Sequence, residues 1–228
     1  NDMIDVLVVD DSAVVRKVLS AELSKATDIN VVGTAIDPFV ARDKILQLKP
    51  DVVTLDLEMP RMDGLTFLGK LMKHFPLPVV IVSSLTPAGG QTAMRALALG
   101  AVDVACKPGS SFSVAEMGPA LISKVRAAAV ARITKRQAPS TESTVSPPKV
   151  NLMQTTHKIL AIGASTGGTR AIESVMTALP VDTPGTMIVQ HMPEHFTRSF
   201  AERLDSLCAM EIREAKDGDA LMPGLALI

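Results

Sequence analysis

A serine and a histidine that each follow a strand-like run are the residues of this chain best suited to nucleophilic catalysis. Ser165 lies in the glycine-rich segment 163–168, directly after the run 158–162, and His191 follows soon after the apolar run 186–189. A serine hydroxyl is a weak nucleophile until a nearby base accepts its proton, and both groups need rigid supports. The two residues therefore indicate a hydrolase with Ser165 as nucleophile and His191 as base.

The glycine-rich segment does not carry the common motifs of nucleotide-binding proteins. It lacks the G-x-G-x-x-G register and the lysine of a P-loop. It offers a serine at the start of a predicted helix, where backbone N–H groups stabilise an oxyanion, with Thr166 as the candidate support. Two alternatives remain open, namely Ser165 as a helix N-cap and the segment as a phosphate- or nucleotide-binding loop. His195, four residues after His191, is a rival base.

Five polar residues of the first half each fall at the end of a predicted strand: Asp10, Asp11, Asp56, Ser83 and Lys107. Three carboxylates brought together repel one another unless a cation joins them, and Mg²⁺ prefers oxygen ligands while keeping positions open for phosphate. We therefore predict a Mg²⁺ site at the three carboxylates. Lys107 would neutralise a phosphoryl group on Asp56, and the Ser83 hydroxyl would donate a hydrogen bond to it. Taken singly, each residue has a structural alternative, such as Asp11 or Ser12 capping the first helix.

Five predicted βα units position this acidic group. Apolar, β-branched runs mark the strands, and helical segments follow each of them. The strands are predicted at 6–9, 31–33, 52–55, 79–82 and 102–105. Such a succession predicts an α/β domain, a flavodoxin-like (βα)5 fold with a parallel sheet whose strand ends share one edge. We assign this domain to residues 1–134.

A change of composition separates the two halves of the chain. Ser, Thr and Pro without apolar periodicity fill residues 135–156, which predicts a flexible linker. We assign residues 157–228 to a second α/β domain, a doubly wound parallel hydrolytic domain that looks truncated because the chain ends within its last strand. Its strands are predicted at 158–162, 186–190, 210–212 and 225–228, with helices ending at 179 and spanning about 194–207.

The composition argues against several other classes of protein. The 228 residues are 47% hydrophobic and 21% charged, which is typical of packed domains rather than disorder. A net charge of −1 lacks the basic footprint of a nucleic-acid-binding protein. There is no signal segment and no apolar run of about 18 residues, so we expect no membrane insertion. Two distant cysteines suit a reducing compartment, and we predict a cytoplasmic protein.

The acidic constellation resembles the receiver domain of two-component response regulators, over residues 3 to about 130. The resemblance implies that Asp56 accepts a phosphoryl group from a chemotaxis histidine kinase. It also implies that Mg²⁺ is surrounded by the side chains of Asp10, Asp11 and Asp56 and by the backbone carbonyl of Glu58. The serine and lysine at the other strand ends would sense the phosphorylated state.

The order of receiver, linker and hydrolase segment resembles the chemotaxis protein-glutamate methylesterase (CheB) family, as do the motifs at 162–169, 190–193 and 216–224. The resemblance implies a phosphorylation-regulated serine esterase that needs no cofactor for its ester chemistry. Its substrates would be glutamate methyl esters on methyl-accepting chemoreceptors, with methanol released, and receptor glutamines, which it would deamidate. It also implies a Ser-His-Asp triad containing Ser165 and His191.

The aspartate of that triad has no candidate where the family would place it. Asp217 and Asp219 come too early and are typical of turn residues. We therefore expect an incomplete member of the family with weak esterase activity, whose final strand forms an unpaired sheet edge. The alternative is a non-enzymatic phospho-receiver whose second half serves as a docking module.

Overall fold

The computed structural model describes residues 3–59, 62–84, 86–107, 114–131, 133, 158–193 and 196–228. The chain forms two compact units, Asn1–Lys135 and Arg136–Ile228. The predicted linker at 135–156 and the rival base His195 lie outside the described residues.

The first unit is a five-stranded parallel sheet with the strand order β2-β1-β3-β4-β5. Its strands are β1 (Ile4–Val9), β2 (Ile29–Ala35), β3 (Val52–Asp56), β4 (Val79–Ser83) and β5 (Asp103–Cys106). Its helices are α1 (Ala13–Leu23), α2 (Pro38–Leu48), α3 (Gly64–His74), α4 (Pro87–Leu99) and α5 (Val114–Ala129). The predicted flavodoxin-like α/β fold is confirmed.

The strands of this unit are almost continuously apolar, because helices cover both faces of the sheet and bury the side chains on each side. This burial holds the unit together. The β3 and β4 strands are buried along their whole length, and Leu7, Leu55 and Ile81 are fully buried. Burying one such side chain contributes about 1.5–3 kcal/mol before the cost of ordering the chain. The sheet is therefore a rigid support for the side chains that follow each strand.

Side-chain caps fix where the helices of the first unit begin. Ser12, Asp37, Asp63 and Thr86 each accept a hydrogen bond from a backbone N–H in the first turn of the following helix. Such a cap contributes about 1 kcal/mol and sets the direction in which the chain leaves the sheet edge. The sequence offered Asp11 or Ser12 as the cap of α1, and the structure shows that it is Ser12. The carboxylates of Asp10 and Asp11 are therefore not needed to cap this helix.

The second unit contains a four-stranded parallel sheet with the order β6-β7-β9-β8. Its strands are β6 (Leu160–Ala164), β7 (Thr186–Gln190), β8 (Glu211–Arg213) and β9 (Leu225–Leu227), and its helices are α6 (Gly168–Met176) and α7 (Phe196–Asp205). The expectation that the last strand forms a sheet edge is wrong. The β9 strand lies between β7 and β8 and pairs with both, so its backbone groups are satisfied on each side.

One face of the second sheet carries the core of this unit. The α6 and α7 helices contact each other, and Ile172, Phe196 and Phe200 are buried. On β7, Ile188 points into this core while the next residue, Val189, is 64% exposed. That alternation is the pattern of a sheet covered on one side. No helix within the described ranges has the length and apolar character needed to cross a bilayer.

Candidate functional site

The carboxyl edge of the first sheet brings four of the predicted residues together. Asp10 follows β1, Asp56 ends β3, and Lys107 follows β5. The Lys107 Nζ atom lies 2.7 Å from Asp56 Oδ2 and 3.5 Å from Asp10 Oδ2. Asp11 is exposed and completes a group of three carboxylates, in which ligand oxygens lie within 4.8 Å of one another. This edge is therefore a compact site that contains three carboxylates and one ammonium group, that of Lys107.

Burial sets the electrostatics of this group. Loss of solvent raises the pKa values of Asp10 and Asp56 above the ordinary carboxyl value, and the positive charge of Lys107 opposes that rise without cancelling it. Burial alone would lower the pKa of Lys107, but its hydrogen bond and ion pair with Asp56, together with Asp10, raise it. The site therefore retains an excess of acidic groups that one ammonium group does not neutralise.

These residues fit a hard divalent cation. The Oδ2 atoms of Asp10 and Asp56 are buried, and in the described part of the chain the Lys107 ammonium is the only positive or donor group beside them. Two buried carboxylate oxygens that share a single ammonium group are costly unless a further cation approaches them. An all-oxygen set of three acids is the type of ligand group that Mg²⁺ takes.

Backbone contacts hold the carboxylates in place. Asp10 Oδ1 accepts a hydrogen bond from the Ser12 N–H at 2.8 Å, and Asp56 Oδ1 accepts one from the Glu58 N–H at 3.0 Å. The Arg16 guanidinium donates to the carbonyl oxygens of Asp10 and Asp11 at 2.8 and 2.9 Å. The orientations of the Asp10 and Asp56 carboxylates are thereby fixed before any ligand binds, which is preorganisation of the site.

The Glu58 and Ser83 side chains make their hydrogen bonds to groups other than the three carboxylates. Glu58 is exposed, and its carboxylate accepts a hydrogen bond from the Ser84 hydroxyl at 3.3 Å. Ser83 is buried at the end of β4, and its hydroxyl donates to the Gly89 carbonyl at 3.5 Å. That long hydrogen bond is weak by geometry, so the hydroxyl can reorient at little cost.

Sequence reasoning missed Gly64 as part of this site. A Cβ atom at this position would lie 2.4 Å from the Asp56 carbonyl oxygen, so only glycine lets α3 begin so close to β3. The Gly64 N–H also donates to the Leu57 carbonyl at 3.0 Å. The sequence did carry a signal for this. Glycine is an unusual first residue for a helix, and its presence directly after the Asp63 cap indicates a close approach of the backbone.

The second site lies at the carboxyl ends of β6 and β7. The Ser165 Oγ atom is 3.4 Å from His191 Nδ1, and both residues are exposed. The adjacent strand ends bring them together, since the His191 N–H donates to the Ala164 carbonyl at 2.9 Å. For the serine hydroxyl to donate to Nδ1, the imidazole proton must be on Nε2. The structure thus brings the predicted nucleophile and base within reach of each other.

The loop after Ser165 turns sharply before α6 begins. The Gly168 N–H donates to the Ser165 carbonyl at 2.7 Å, and Gly167 has φ of 75°, which favours glycine. The residue that caps α6 is Gly167, so the alternative of Ser165 as the N-cap is wrong. Thr166 is half-buried within this turn. The Ser165 side chain is therefore left free of a capping role.

Sequence reasoning also missed Gln190. Its Nε2 donates to the carbonyl oxygens of Ser165 at 2.9 Å and His191 at 3.3 Å, and the residue is only 8% exposed. Its Oε1 is buried beside Gly168, where a Cβ atom would lie 2.3 Å away. The signal was the strand period, because Gln190 shares the inward face of β7 with Ile188. One side chain thus joins the two segments that carry the Ser–His pair.

The two aspartates in the segment 216–219 behave as the sequence suggested. Asp219 Oδ2 accepts hydrogen bonds from the Arg213 guanidinium at 2.6 Å and from the Lys216 N–H at 2.7 Å. The guanidinium, followed by the backbone donor, lowers the pKa of Asp219. Gly218 has φ of 83°, as a tight turn requires. Asp219 is therefore a turn residue engaged with Arg213.

Comparison with known proteins matches each of the two units to a protein family. Residues 6–117 match the family described as response regulator receiver domain, and residues 160–228 match the family described as CheB methylesterase. The response regulator domain of Thermotoga maritima CheB has a crystal structure that superposes with a TM-score of 0.53 at 43% identity, covering 57% of this chain and 98% of that one. The fold and the acidic edge together define a response regulator receiver domain.

Two relatives extend the similarity across both units. A "Protein-glutamate methylesterase/protein-glutamine glutaminase 2" of Syntrophus aciditrophicus is 57% identical over 99% of this chain and 66% of that protein. A "Protein-glutamate methylesterase/protein-glutamine glutaminase 1" of Pseudomonas savastanoi pv. phaseolicola is 50% identical over 100% of this chain and 68% of that protein. The chain belongs to the CheB family of protein-glutamate methylesterases/protein-glutamine glutaminases. It spans about two thirds of the length of these curated relatives.

The raised carboxyl pKa values make the stability of the first unit depend on pH. Because the folded state binds these protons more tightly, the contribution of Asp10 and Asp56 is full below the unfolded carboxyl pKa. It is lost as pH rises through the raised folded pKa values. The substitution Asp10→Asn keeps an acceptor for the Ser12 N–H and removes one charge. At neutral pH without divalent cations it should raise the free energy of unfolding by on the order of 1 kcal/mol.

Hydrogen exchange of the β1 and β3 amides measures this difference for the first unit separately. Added Mg²⁺ should stabilise the wild type more than Asp10→Asn, because the variant has lost a ligand. Asp43→Asn, at an exposed acid of α2, is the matched control and should change neither quantity. Lower stability of Asp10→Asn at neutral pH would contradict the electrostatic account.

Proposed function

We propose that this chain is a phosphorylation-regulated serine esterase of bacterial chemotaxis. Its substrates are glutamate methyl esters on methyl-accepting chemoreceptors, and it also deamidates receptor glutamines. The observation that carries the proposal is the 3.4 Å approach of Ser165 Oγ to His191 Nδ1 at adjacent strand ends. Relatives that match nearly the whole chain bear the names of these two activities. We propose a cytoplasmic location, where receptor tails and kinases meet the enzyme.

The chemistry follows from the serine and histidine. His191 takes the hydroxyl proton at Nδ1 as Ser165 Oγ attacks the ester carbonyl, which gives a tetrahedral oxyanion. The oxyanion collapses, the C–O bond to the methoxy group breaks, and the imidazolium donates its proton so that methanol leaves. His191 then deprotonates a water that attacks the glutamyl–serine ester, which releases the glutamate carboxyl and restores Ser165. With a glutamine substrate, the same sequence releases ammonia.

The turn before α6 supports the charge that develops in this reaction. Backbone N–H groups at a helix start are suited to an oxyanion, and we assign this role to the segment at Thr166. Gln190 is a positioning residue, because it holds the carbonyl groups of Ser165 and His191 in fixed places. A misplacement of about 1 Å in such a pair can cost on the order of 100-fold in rate.

Phosphorylation takes place at the carboxyl edge of the first sheet. The Asp56 carboxylate attacks the phosphorus atom of a phosphohistidine on a chemotaxis kinase, and the histidine is the leaving group. Lys107 and the Ser83 hydroxyl then contact the phosphoryl oxygens. The side chains of Asp10, Asp11 and Asp56 and the carbonyl of Glu58 would hold Mg²⁺. When bound, Mg²⁺ supplies neutralisation of the phosphoryl charge.

Phosphorylation regulates hydrolysis through a shift between two states of the protein. Moving a population from 10% to 90% active needs only about 2.6 kcal/mol, a size that new contacts to a phosphoryl group can supply. The ion pair between Lys107 and Asp56 is the contact that must rearrange, since Lys107 would exchange a carboxylate for phosphoryl oxygens. The phosphoryl group therefore acts on a residue that is already placed beside it.

Asp56 should be the phosphorylated residue. Incubation with a small acyl phosphate and Mg²⁺ should label the wild type at Asp56 and leave Asp56→Asn unlabelled, as read by intact mass and peptide mapping. Chelation of Mg²⁺ should abolish the labelling, because the acidic cluster would otherwise repel the anionic donor. Asp51→Asn, at an exposed acid just before β3, is the control and should be labelled normally. Equal labelling of Asp56→Asn would end the receiver assignment.

Ser165 should be the nucleophile of the second unit. A serine-reactive phosphonate should modify Ser165 in the wild type, at a rate that falls by at least about 100-fold in His191→Ala because the general base is lost. Ser165→Ala should not be modified, whereas Ser174→Ala in α6 should react like the wild type. Absence of labelling at Ser165 in all proteins would favour the non-enzymatic docking alternative.

Gln190 should act on reaction rate through position. The substitution Gln190→Met keeps the side-chain length and removes both hydrogen bonds, so the phosphonate reaction should slow by roughly tenfold. The unfolding midpoint should change little, because the buried Oε1 without a partner is removed as well. Met187→Gln, on the exposed face of the same strand, is the control. An unchanged rate in Gln190→Met would show that Ser165 and His191 are positioned without it.

A further inference from the structure

A cavity of about 460 Å³ lies between α2 and α3 of the first unit. Its floor is formed by the buried side chains of Ile45, Phe67 and Leu71. Its rim includes Leu46, which is 59% exposed, and Phe39, which is 45% exposed. Exposed apolar side chains that surround an apolar floor are typical of an interaction surface rather than of an isolated surface residue. We call this feature the α2–α3 groove.

The charges along the α2–α3 groove have one sign. Arg42, Lys70 and His74 line it, and no carboxylate is among its lining residues in the described part of the chain. Arg42 pairs with Asp43, the next residue in α2, whereas Lys70 is exposed and has no ion-pair partner among the described residues. An apolar channel with a basic rim is complementary to a segment that has an apolar stripe flanked by acids.

The shape of the groove favours a helix as the occupant. The lining residues of α2 run from Pro38 to Leu46, which is a span of about 12 Å, or just over two helical turns. An amphipathic helix presents apolar side chains at i, i+3 or i+4, and i+7 along this distance. A second copy of this chain is disfavoured, because a two-fold contact would place Lys70 and Arg42 against the same positive rim.

We propose that the α2–α3 groove docks an acidic amphipathic helix of a partner protein. Two or three apolar side chains of that helix pack on Phe39, Leu46 and the floor. Glutamate or aspartate side chains beside the apolar stripe face Lys70 and Arg42. The groove shares no lining residue with the acidic cluster, so this docking surface is distinct from the phosphorylation chemistry and does not rest on the proposed function.

A designed peptide tests this proposal on the 228-residue chain. The probe is a fluorescent helical peptide of about 14 residues with leucines at i, i+4 and i+7 and flanking glutamates, and a matched peptide has lysines in place of the glutamates. Fluorescence anisotropy should show that the glutamate peptide binds more tightly than the lysine peptide. Lys70→Glu should weaken binding of the glutamate peptide by about 3- to 10-fold and strengthen that of the lysine peptide.

Two pairs of variants separate the groove from general surface effects. Lys73→Glu changes an exposed lysine of the same helix that does not line the groove, and it should alter affinity less than about twofold. Leu46→Glu should abolish binding, whereas Val130→Glu, at an exposed apolar residue elsewhere, should not. The four substituted positions, 46, 70, 73 and 130, are all exposed, so the far-UV circular dichroism spectrum of each variant should match that of the wild type. Equal binding of both peptides, or binding that survives Leu46→Glu, would overturn the proposal. Self-association in sedimentation that Leu46→Glu removes would identify a second copy as the occupant.

Discussion

Parallel pairing of strands places the residue that follows each strand at the same edge of the sheet, and both candidate sites of this chain depend on that constraint. In the first unit it gathers Asp10, Asp56 and Lys107, which are far apart in sequence, into one group. In the second unit it brings Ser165 beside His191 through the pairing of β6 with β7. The apolar strands supply the rigidity, and the polar residues at their ends supply the chemistry.

The two sites place different electrical demands on the same kind of edge. In the first, burial raises the pKa values of Asp10 and Asp56, and Lys107 compensates their charge only in part. The second is exposed, and its precision comes from hydrogen bonds to backbone carbonyls made by Gln190 and Gly168. Charge therefore organises the first site, whereas backbone geometry organises the second.

The sequence was sufficient for features that depend on local pattern. Apolar runs indicated the strands. The positions at or just after the ends of those strands indicated Asp56, Lys107, Ser165 and His191. It was insufficient where a feature depends on atoms brought together by tertiary structure. The contact of Gln190 with Ser165 joins residues 25 positions apart and needs the β6–β7 register. Strand order is equally non-local, which is why the insertion of β9 between β7 and β8 was not foreseen.

The close approach of Gly168 to Gln190 has a consequence for how this site can evolve. Any side chain at position 168 would meet the Gln190 amide, which a Cβ atom would approach to 2.3 Å. A larger residue at 168 therefore needs room beside Ala164, whose Cβ atom would lie 2.6 Å from the added Cβ, and it also needs a smaller residue at 190. That smaller residue would no longer reach the carbonyl groups of Ser165 and His191. Position 168 is thus closed to any other residue while Gln190 and Ala164 are present, whereas position 190 can change alone at the cost of the contacts that hold Ser165 and His191 in place.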